Sequence, residues 1–286
     1  MRILLLGAGG QLAHELRAEL AADDVTPWTR SECDLAAPEG LHEKLAAARP
    51  DAVVNAAAYK LVDQAEREPA AAFAANAFGP LELARACARL GVPLLHFSTD
   101  YVFTGEAGQT EPWSETDAPQ PASAYGLSKL AGEHAVRAYC PRSFVVRTCG
   151  LYGVKGSRGK GGNFVETMLR LADGGKPVRV VGDQRCTPSS CADVAAAAVR
   201  LLRTEAYGIH HATNAGSCTW HEFAAEIFRQ AGKAVDLQAI GSAEFAAPAR
   251  RPTFSVLSSA RLARLGIALP DWRDALRRYL AARSAQ

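Results

Sequence analysis

The chain alternates short, continuously apolar runs with stretches in which apolar residues recur every three or four positions. The runs at 2–6, 25–29, 51–55, 92–98 and 142–149 read as strands, most of them apolar enough to be buried on both faces. Between them, Leu12, Leu16 and Leu20 keep helical spacing, and 38–48, the alanine-rich 69–90 and the segment from Ala124 onward read as helices. The resulting order, βαβαβαβαβ, predicts a parallel, doubly wound sheet with right-handed crossovers. Past Gly150 the elements shorten. Helices are expected over 165–172, 192–202 and 220–231, short strands near 178–181 and 209–212, and two helical segments after Arg250-Arg-Pro252. The reading is an α/β protein with a sheet domain over 1–150 and a smaller C-terminal α/β substrate lobe over 151–286, interleaved with the sheet of the first.

Composition narrows the partners. The chain has 286 residues, of which 48% are hydrophobic and 22% charged, enough for a large core and a second small lobe. A formal charge of +2 without long runs of one sign points to small molecules, with no nucleic acid and no membrane as main partner. The seven cysteines are scattered, without a C-x-x-C pair or a histidine cluster, so no metal site is expected and the thiols read as reduced. The opening apolar run is too short for a signal peptide and no stretch approaches a membrane span, so a cytoplasmic protein is expected.

The candidate chemistry sits at the ends of the strands. Gly7-Ala-Gly-Gly10-Gln-Leu-Ala13 joins the first strand to a helix. Such a turn lets backbone approach a pyrophosphate and aims a helix N-terminus at it; the alternative is a tight turn with no ligand. Arg30 follows the second strand, where an arginine accommodates a ribose 2′-phosphate and an acid would take the hydroxyl, and it reads equally as a solvated loop residue. Small residues follow the third strand in Asn55-Ala-Ala-Ala-Tyr59, and Asn76 lies in a long helix as either a structural bridge or active-site support. Ser98-Thr-Asp100 ends the fourth strand, where open α/β sheets bind ligands. On the next helix Tyr125 and Lys129 stand four apart, on one face. A lysine so placed favours a phenolate, which prepares the tyrosine to pass a proton near neutral pH. Alone, Y-x-x-x-K reads equally as an exposed helix with a snorkelling lysine. The basic, glycine-bearing segment 153–162, with Lys155, Arg158 and Lys160, is either a phosphate clamp or a solvated loop.

Taken in order, Gly7-x-x-Gly10, Asn55-Ala-Ala-Ala, Ser98-Thr99 and Tyr125-x-x-x-Lys129 resemble the extended short-chain dehydrogenase/reductase superfamily and its Rossmann-like fold. More narrowly, Gly10-Gln-Leu12, Val62-Asp63 with Glu66, Ser98-Thr-Asp-Tyr-Val-Phe103, Lys129-x-x-Gly-Glu133, Arg147-Thr148, Asn163-Phe164, Asp183-Gln184 and Arg251-Pro252 resemble the dTDP-4-dehydrorhamnose reductases. The resemblance implies hydride transfer from NADPH, with NADH as the second cofactor it allows, to the 4-keto carbon of a dTDP-6-deoxyhexulose. It makes Tyr125 the proton donor, with Thr99 orienting the keto group and Lys129 holding the nicotinamide ribose. It puts Gly10, Gln11 and Leu12 at the pyrophosphate, Asp34 and Leu35 at the adenine, and Ala58 and Tyr59 on the cofactor's inner side; Gly7, Arg30, Ala57 and Asn76 are the further candidate cofactor-binding residues. Asp100, Gly150, Asn163, Gln184 and Arg251 fall on the side of the nucleotide-sugar substrate. A homodimer is compatible with the resemblance, and the sequence fixes no oligomeric state.

Three departures bear on specificity. Gly150 stands where the family often has a tryptophan that packs on the sugar, Gln184-Arg-Cys-Thr-Pro-Ser189 replaces a Gln-x-x-x-Pro-Thr run, and Lys60 replaces a threonine. The nucleotide-sugar dehydratases place a glutamate after the aspartate of the Thr-Asp pair; here Tyr101 follows Asp100, which disfavours dehydration. A 4-epimerase uses the same tyrosine and lysine, but Arg30 argues against its tightly held NAD. A non-catalytic subunit, resembling the methionine adenosyltransferase β-subunit, would need only the glycine loop and has no use for a tuned phenol.

Overall fold

The computed structural model describes residues 1–105, 108–155 and 162–284. The first half runs β1 (Arg2–Leu6), α1 (Gln11–Glu19), β2 (Asp24–Trp28), α2 (Leu41–Ala48), β3 (Ala52–Asn55), α3 (Val62–Ala65), α4 (Pro69–Phe73), α5 (Gly79–Leu90), β4 (Leu94–Thr99), α6 (Ala124–Tyr139) and β5 (Ser143–Thr148). The second half adds β6 (Leu151–Tyr152), α7 (Phe164–Asp173), β7 (Val178–Val181), β8 (Arg185–Cys186), β9 (Ser189–Ser190), α8 (Cys191–Leu202) and β10 (Gly208–His211). It closes with β11 (Cys218–Thr219), α9 (Trp220–Gln230), β12 (Leu237–Ile240), α10 (Ser242–Phe245), α11 (Ala260–Arg264) and α12 (Trp272–Ser284).

Six strands form one parallel sheet in the order β10-β5-β4-β3-β1-β2. Every residue of β3, β4 and β5 is buried, as continuous apolar runs demand of a sheet covered on both faces. On one face α1 and α8 pack through Leu12, Leu16, Val194 and Leu201; on the other α2, α5 and α6 pack through Leu45, Leu83, Cys87 and Val136. Chain order departs from neighbour order between β1 and β3, with β2 wound out to one side and β4 to the other. In such sheets ligands bind outside the carboxyl ends of the strands at that switch. A further core gathers Tyr152, Val165, Phe223, Trp272 and Tyr279 from the second half. The paired strands β7·β12, β6·β9 and β8·β11 are small separate sheets around it.

Three sequence expectations are refined. The strand expected at 209–212 is β10, and it belongs to the main sheet beside β5, so the sheet draws on both halves of the chain. The helix expected to run unbroken over 69–90 carries one π-helical turn, Ala74–Phe78, between α4 and α5. That extra residue per turn pushes the Asn76 carbonyl toward α6 until a Cβ on Gly132 would collide with it. The start of α2 is also later than the expected 38, because Gly40 in the left-handed region (φ 64°) ends a turn from Pro38 before the helix begins. Arg158 and Lys160 of the basic segment lie outside the described residues.

Among the described residues no helix is long and apolar enough to cross a membrane. The seven cysteines are free and buried.

Candidate active site

The turn from β1 to α1 is built for a close approach. Gly7 has φ 76°, and a Cβ there would lie 2.6 Å from the Ala57 nitrogen and 2.7 Å from the Ala56 carbonyl carbon. Only glycine brings this turn against the end of β3. Gly10 occupies the N-cap of α1 and supplies no side-chain cap, so the first amides of the helix stay open to an anion. Gln11 donates from Nε2 to the Leu151 carbonyl at 3.0 Å, while its Oε1 is buried without a hydrogen-bond partner among the described residues. An open helix terminus and a glycine cradle together fit a dinucleotide pyrophosphate. Leu12 is buried in the core under the turn. Arg30, 83% exposed, pairs with Asp34 at 2.8 Å just past β2, and Leu35 is buried beside them.

After β3 the backbone is held by two amides. Asn55 accepts from the Ala57 N–H at 3.0 Å. Asn76 accepts from the Tyr59 N–H (2.9 Å) and donates to the Tyr59 carbonyl (2.9 Å) and to Ser128 Oγ (3.0 Å). The Asn76 amide thus ties the 57–59 loop to α6, as the bridging reading expects. Ala58 is exposed beside it and Tyr59 partly so.

Helix α6 carries Tyr125 and Lys129. Ser123 caps it, accepting from the Gly126 N–H at 3.1 Å. Gly126 and Gly132 let it lie against the Tyr101 and Asn76 carbonyls. Thr99, the last residue of β4, accepts from the Tyr101 N–H (3.2 Å) and donates to Asp100 Oδ1 (3.1 Å). Cys149, just past β5, donates to the other Asp100 oxygen at 3.0 Å. Burial raises the Asp100 carboxyl above its usual range, against hydrogen bonds from Ser255, Cys149 and Thr99. The Tyr125 ring stands edge-on to Tyr101, centroids 5.6 Å apart.

The electrostatics differ from the sequence expectation. Burial pushes the Tyr125 phenol up to about 12; a hydrogen bond with Thr99 opposes the rise and the Asp100 charge adds to it. Lys129 is not among the groups acting on it. The Lys129 amine is buried and donates to the Phe97 carbonyl at 2.7 Å, with His96 Nε2 at 3.5 Å. Burial brings it down to about 8, partly offset by Glu133. The residues are neighbours as their spacing required, but the expected depression of the phenol by the ammonium is absent from this structure.

The second half closes the site. Gly150 has φ 55°, and a Cβ there would lie 3.1 Å from Pro188 Cα and 3.2 Å from the Trp220 ring. A ring therefore does stand beside this position, brought by α9 instead of by residue 150. Arg251 grips Asp63 through two hydrogen bonds, 2.9 and 3.1 Å, joining the C-terminal segment to α3. Gln184 is buried and donates to Ser242 at 2.8 Å. Asn163, expected on the substrate side, caps α7 by accepting from the Glu166 N–H (3.1 Å) and donates to the Gly153 carbonyl and the Tyr279 hydroxyl. Its amide has the partners of a structural cap. Lys60 is half-buried, and burial lowers its pKa.

His96, Tyr101, Cys149, Ser255 and Trp220 were not anticipated. His96 and Cys149 carried a signal, being polar or thiol groups inside or at the end of a fully apolar run; Trp220 and Ser255 carried none, since only the fold brings them here.

A parallel sheet, a glycine cradle at its switch point, and a tyrosine, lysine and threonine at the carboxyl ends of its strands define an extended short-chain dehydrogenase/reductase-type nucleotide-binding protein. The comparisons narrow this class. A family model described as RmlD substrate binding domain matches residues 1–284, and the chain belongs to that family. The dTDP-4-dehydrorhamnose reductase of Mycobacterium tuberculosis (strain ATCC 25618 / H37Rv) is 41% identical over 288 residues, spanning 98% of this chain and 93% of the relative. The crystal structure of a dTDP-4-dehydrorhamnose reductase from Clostridium acetobutylicum superimposes with a TM-score of 0.93 at 36% identity, covering 99% of this chain and 100% of the other. That of the Bacillus anthracis dTDP-4-dehydrorhamnose reductase in complex with NADP has a TM-score of 0.92 at 36% identity, covering 98% and 99%.

Proposed function

We propose that the protein is an NADPH-dependent nucleotide-sugar 4-ketoreductase that reduces the 4-keto group of a dTDP-4-keto-6-deoxyhexose, converting dTDP-4-dehydrorhamnose to dTDP-L-rhamnose or a close analogue. The observation that carries this reading is the meeting of Tyr125, Thr99 and Lys129 beside an open dinucleotide cradle. Bound NADPH supplies the hydride. The cradle residues Gly7, Gly10, Gln11 and Leu12 would hold its pyrophosphate, Arg30 its 2′-phosphate, and Lys129 its ribose.

The chain's own part is positioning and one proton. As charge grows on the keto oxygen, the Tyr125 O–H gives up its proton to that oxygen. A phenol pushed up to about 12 is fully protonated at neutral pH and is still a stronger acid than the product alcohol, so the donor is loaded and transfer to the developing alkoxide runs downhill. Thr99 steadies the phenolic oxygen. Asp100, Gly150, Gln184 and Arg251 lie toward the sugar nucleotide, with the Trp220 ring beside Gly150 taking the place of the family's stacking residue. Arg251 acts there through its clamp on Asp63.

The test is to mix the protein with NADPH and dTDP-4-keto-6-deoxy sugars and follow reduced-cofactor absorbance, then identify the product. Stoichiometric oxidation with one reduced sugar supports the reading. Interconversion of epimers without net oxidation makes the protein an epimerase, and cofactor binding without turnover of any sugar makes it a binding subunit.

A further inference from the structure

One buried histidine has no place in this reaction scheme. His96 lies in the middle of β4, fully buried, in register with Asn55 on β3. Its Nδ1 is 3.0 Å from Asn55 Nδ2, and its Nε2 is 3.5 Å from Lys129 Nζ. The hydrogen-bond polarity of this chain can be worked out from one end. The Ala57 backbone N–H can only donate, so the Asn55 atom facing it at 3.0 Å is the carbonyl oxygen. The NH2 of that amide therefore faces the ring and donates to Nδ1, which must carry a lone pair. Burial and the neighbouring Lys129 keep the ring neutral, and a neutral ring has one N–H. It sits on Nε2, pointing at the lysine nitrogen.

An N–H facing an ammonium is donor against donor; facing a free amine it is a hydrogen bond that the amine accepts. The second bond of Lys129, to the Phe97 carbonyl, suits both forms. The acidic group on the other side is Glu133, and its carboxylate is already taken by Arg147 from β5 and Ser98 from β4. We propose that Asn55 and His96 are positioning residues that act on the reaction through Lys129, turning an N–H toward its nitrogen and making its ammonium form easy to deprotonate. Burial works in the same direction. The alkaline limb of turnover, where Lys129 loses its proton, is then set by the orientation of one amide on the neighbouring strand β3.

The inference rests on the reductase reading only for its turnover arm. Asn55→Asp is the decisive variant. Both carboxylate oxygens accept, so Ala57 keeps its bond while His96 must carry a proton on Nδ1 and turn a lone pair toward Lys129. Nitrogen NMR of labelled histidine, on the protein without cofactor, should show His96 protonated on Nε2 in the parent and on Nδ1 in the variant. Direct NMR titration of the Lys129 nitrogen, and the alkaline limb of kcat/KM, should both move up by about one pH unit or more. His96→Phe, which keeps ring volume and removes the N–H, should move them the same way even where it lowers stability. A parent ring protonated on Nδ1 overturns the proposal. So does the expected tautomer with a Lys129 titration that neither variant shifts, which would make the pair purely structural. Should no sugar be turned over, the reductase reading fails while the tautomer and the lysine titration still decide this one.

Discussion

Arg147 on β5 grips Glu133 on α6 through three hydrogen bonds of 2.7, 2.9 and 3.2 Å, both side chains only 2% exposed. Ser98 on β4 donates to the same carboxylate at 2.5 Å. Glu133 is one turn beyond Lys129 and two beyond Tyr125, so this pair fixes the helix that carries the reacting groups against the two strands that carry Thr99 and Thr148. Breaking a buried pair by removing one partner leaves an uncompensated charge and costs roughly 3–5 kcal/mol. Glu133→Ala is expected to lose stability on that scale in chemical denaturation, and Ser98→Ala less. Equal, small losses for both would show that the pair is solvated in solution.

Tyr125→Phe keeps the ring packed edge-on to Tyr101 and removes only the hydroxyl. Turnover should fall by about 10²- to 10⁴-fold, the usual weight of a positioned acid, with NADPH affinity unchanged in a binding titration. Unchanged turnover would remove Tyr125 from the reaction.

Arg30 is 83% exposed and, among the described residues, is tied to Asp34 alone. A guanidinium so placed is free to meet a 2′-phosphate, whereas a carboxylate there would take the ribose hydroxyls. Arg30→Asp should shift the ratio of kcat/KM values from NADPH toward NADH. A ratio that stays put in steady-state assays would mean that Arg30 does not read the phosphate.

Gly150 combines a left-handed φ with two neighbours inside 3.3 Å of any Cβ. Gly150→Ala is expected to lower stability by about 1–3 kcal/mol through backbone strain and contact with Pro188 and Trp220. Restoring a tryptophan at this position should cost more, because the space beside it already holds a ring. Thermal unfolding of the alanine variant at the parent temperature would contradict the geometry.

Burial raises the thiols of Cys33, Cys87, Cys140, Cys149, Cys191 and Cys218. Above the ordinary thiol range the unfolded chain has lost these protons while the folded chain keeps them, so the folded state binds more protons and stability falls as pH rises. The loss is up to about 1.4 kcal/mol per thiol per pH unit. Lys129 acts oppositely: its depressed value means that its burial costs stability at and below neutral pH, a cost relieved between about 8 and the ordinary lysine value. Six thiols outweigh one amine, and denaturation midpoints should drop steadily beyond about pH 9. A flat alkaline profile would mean that the thiols ionise in place.

The sequence by itself determined the parallel sheet, its helices, and the place of Gly7, Thr99, Tyr125 and Lys129, because each depends on local periodicity, on a backbone angle or on spacing along one helix. The same local rules set the capping of α6 and the small residues that let it lie close. Only the tertiary structure decided how those groups are charged and what they touch. That Lys129 turns to Phe97 and His96, that the Asn76 and Asn163 amides brace loops, that β10 completes the sheet, and that Trp220 stands beside Gly150 all follow from contacts between segments far apart in the chain. Burial, which moves the Tyr125 phenol up and the Lys129 ammonium down, is a property of the whole packed sheet and leaves no trace in the three residues between them.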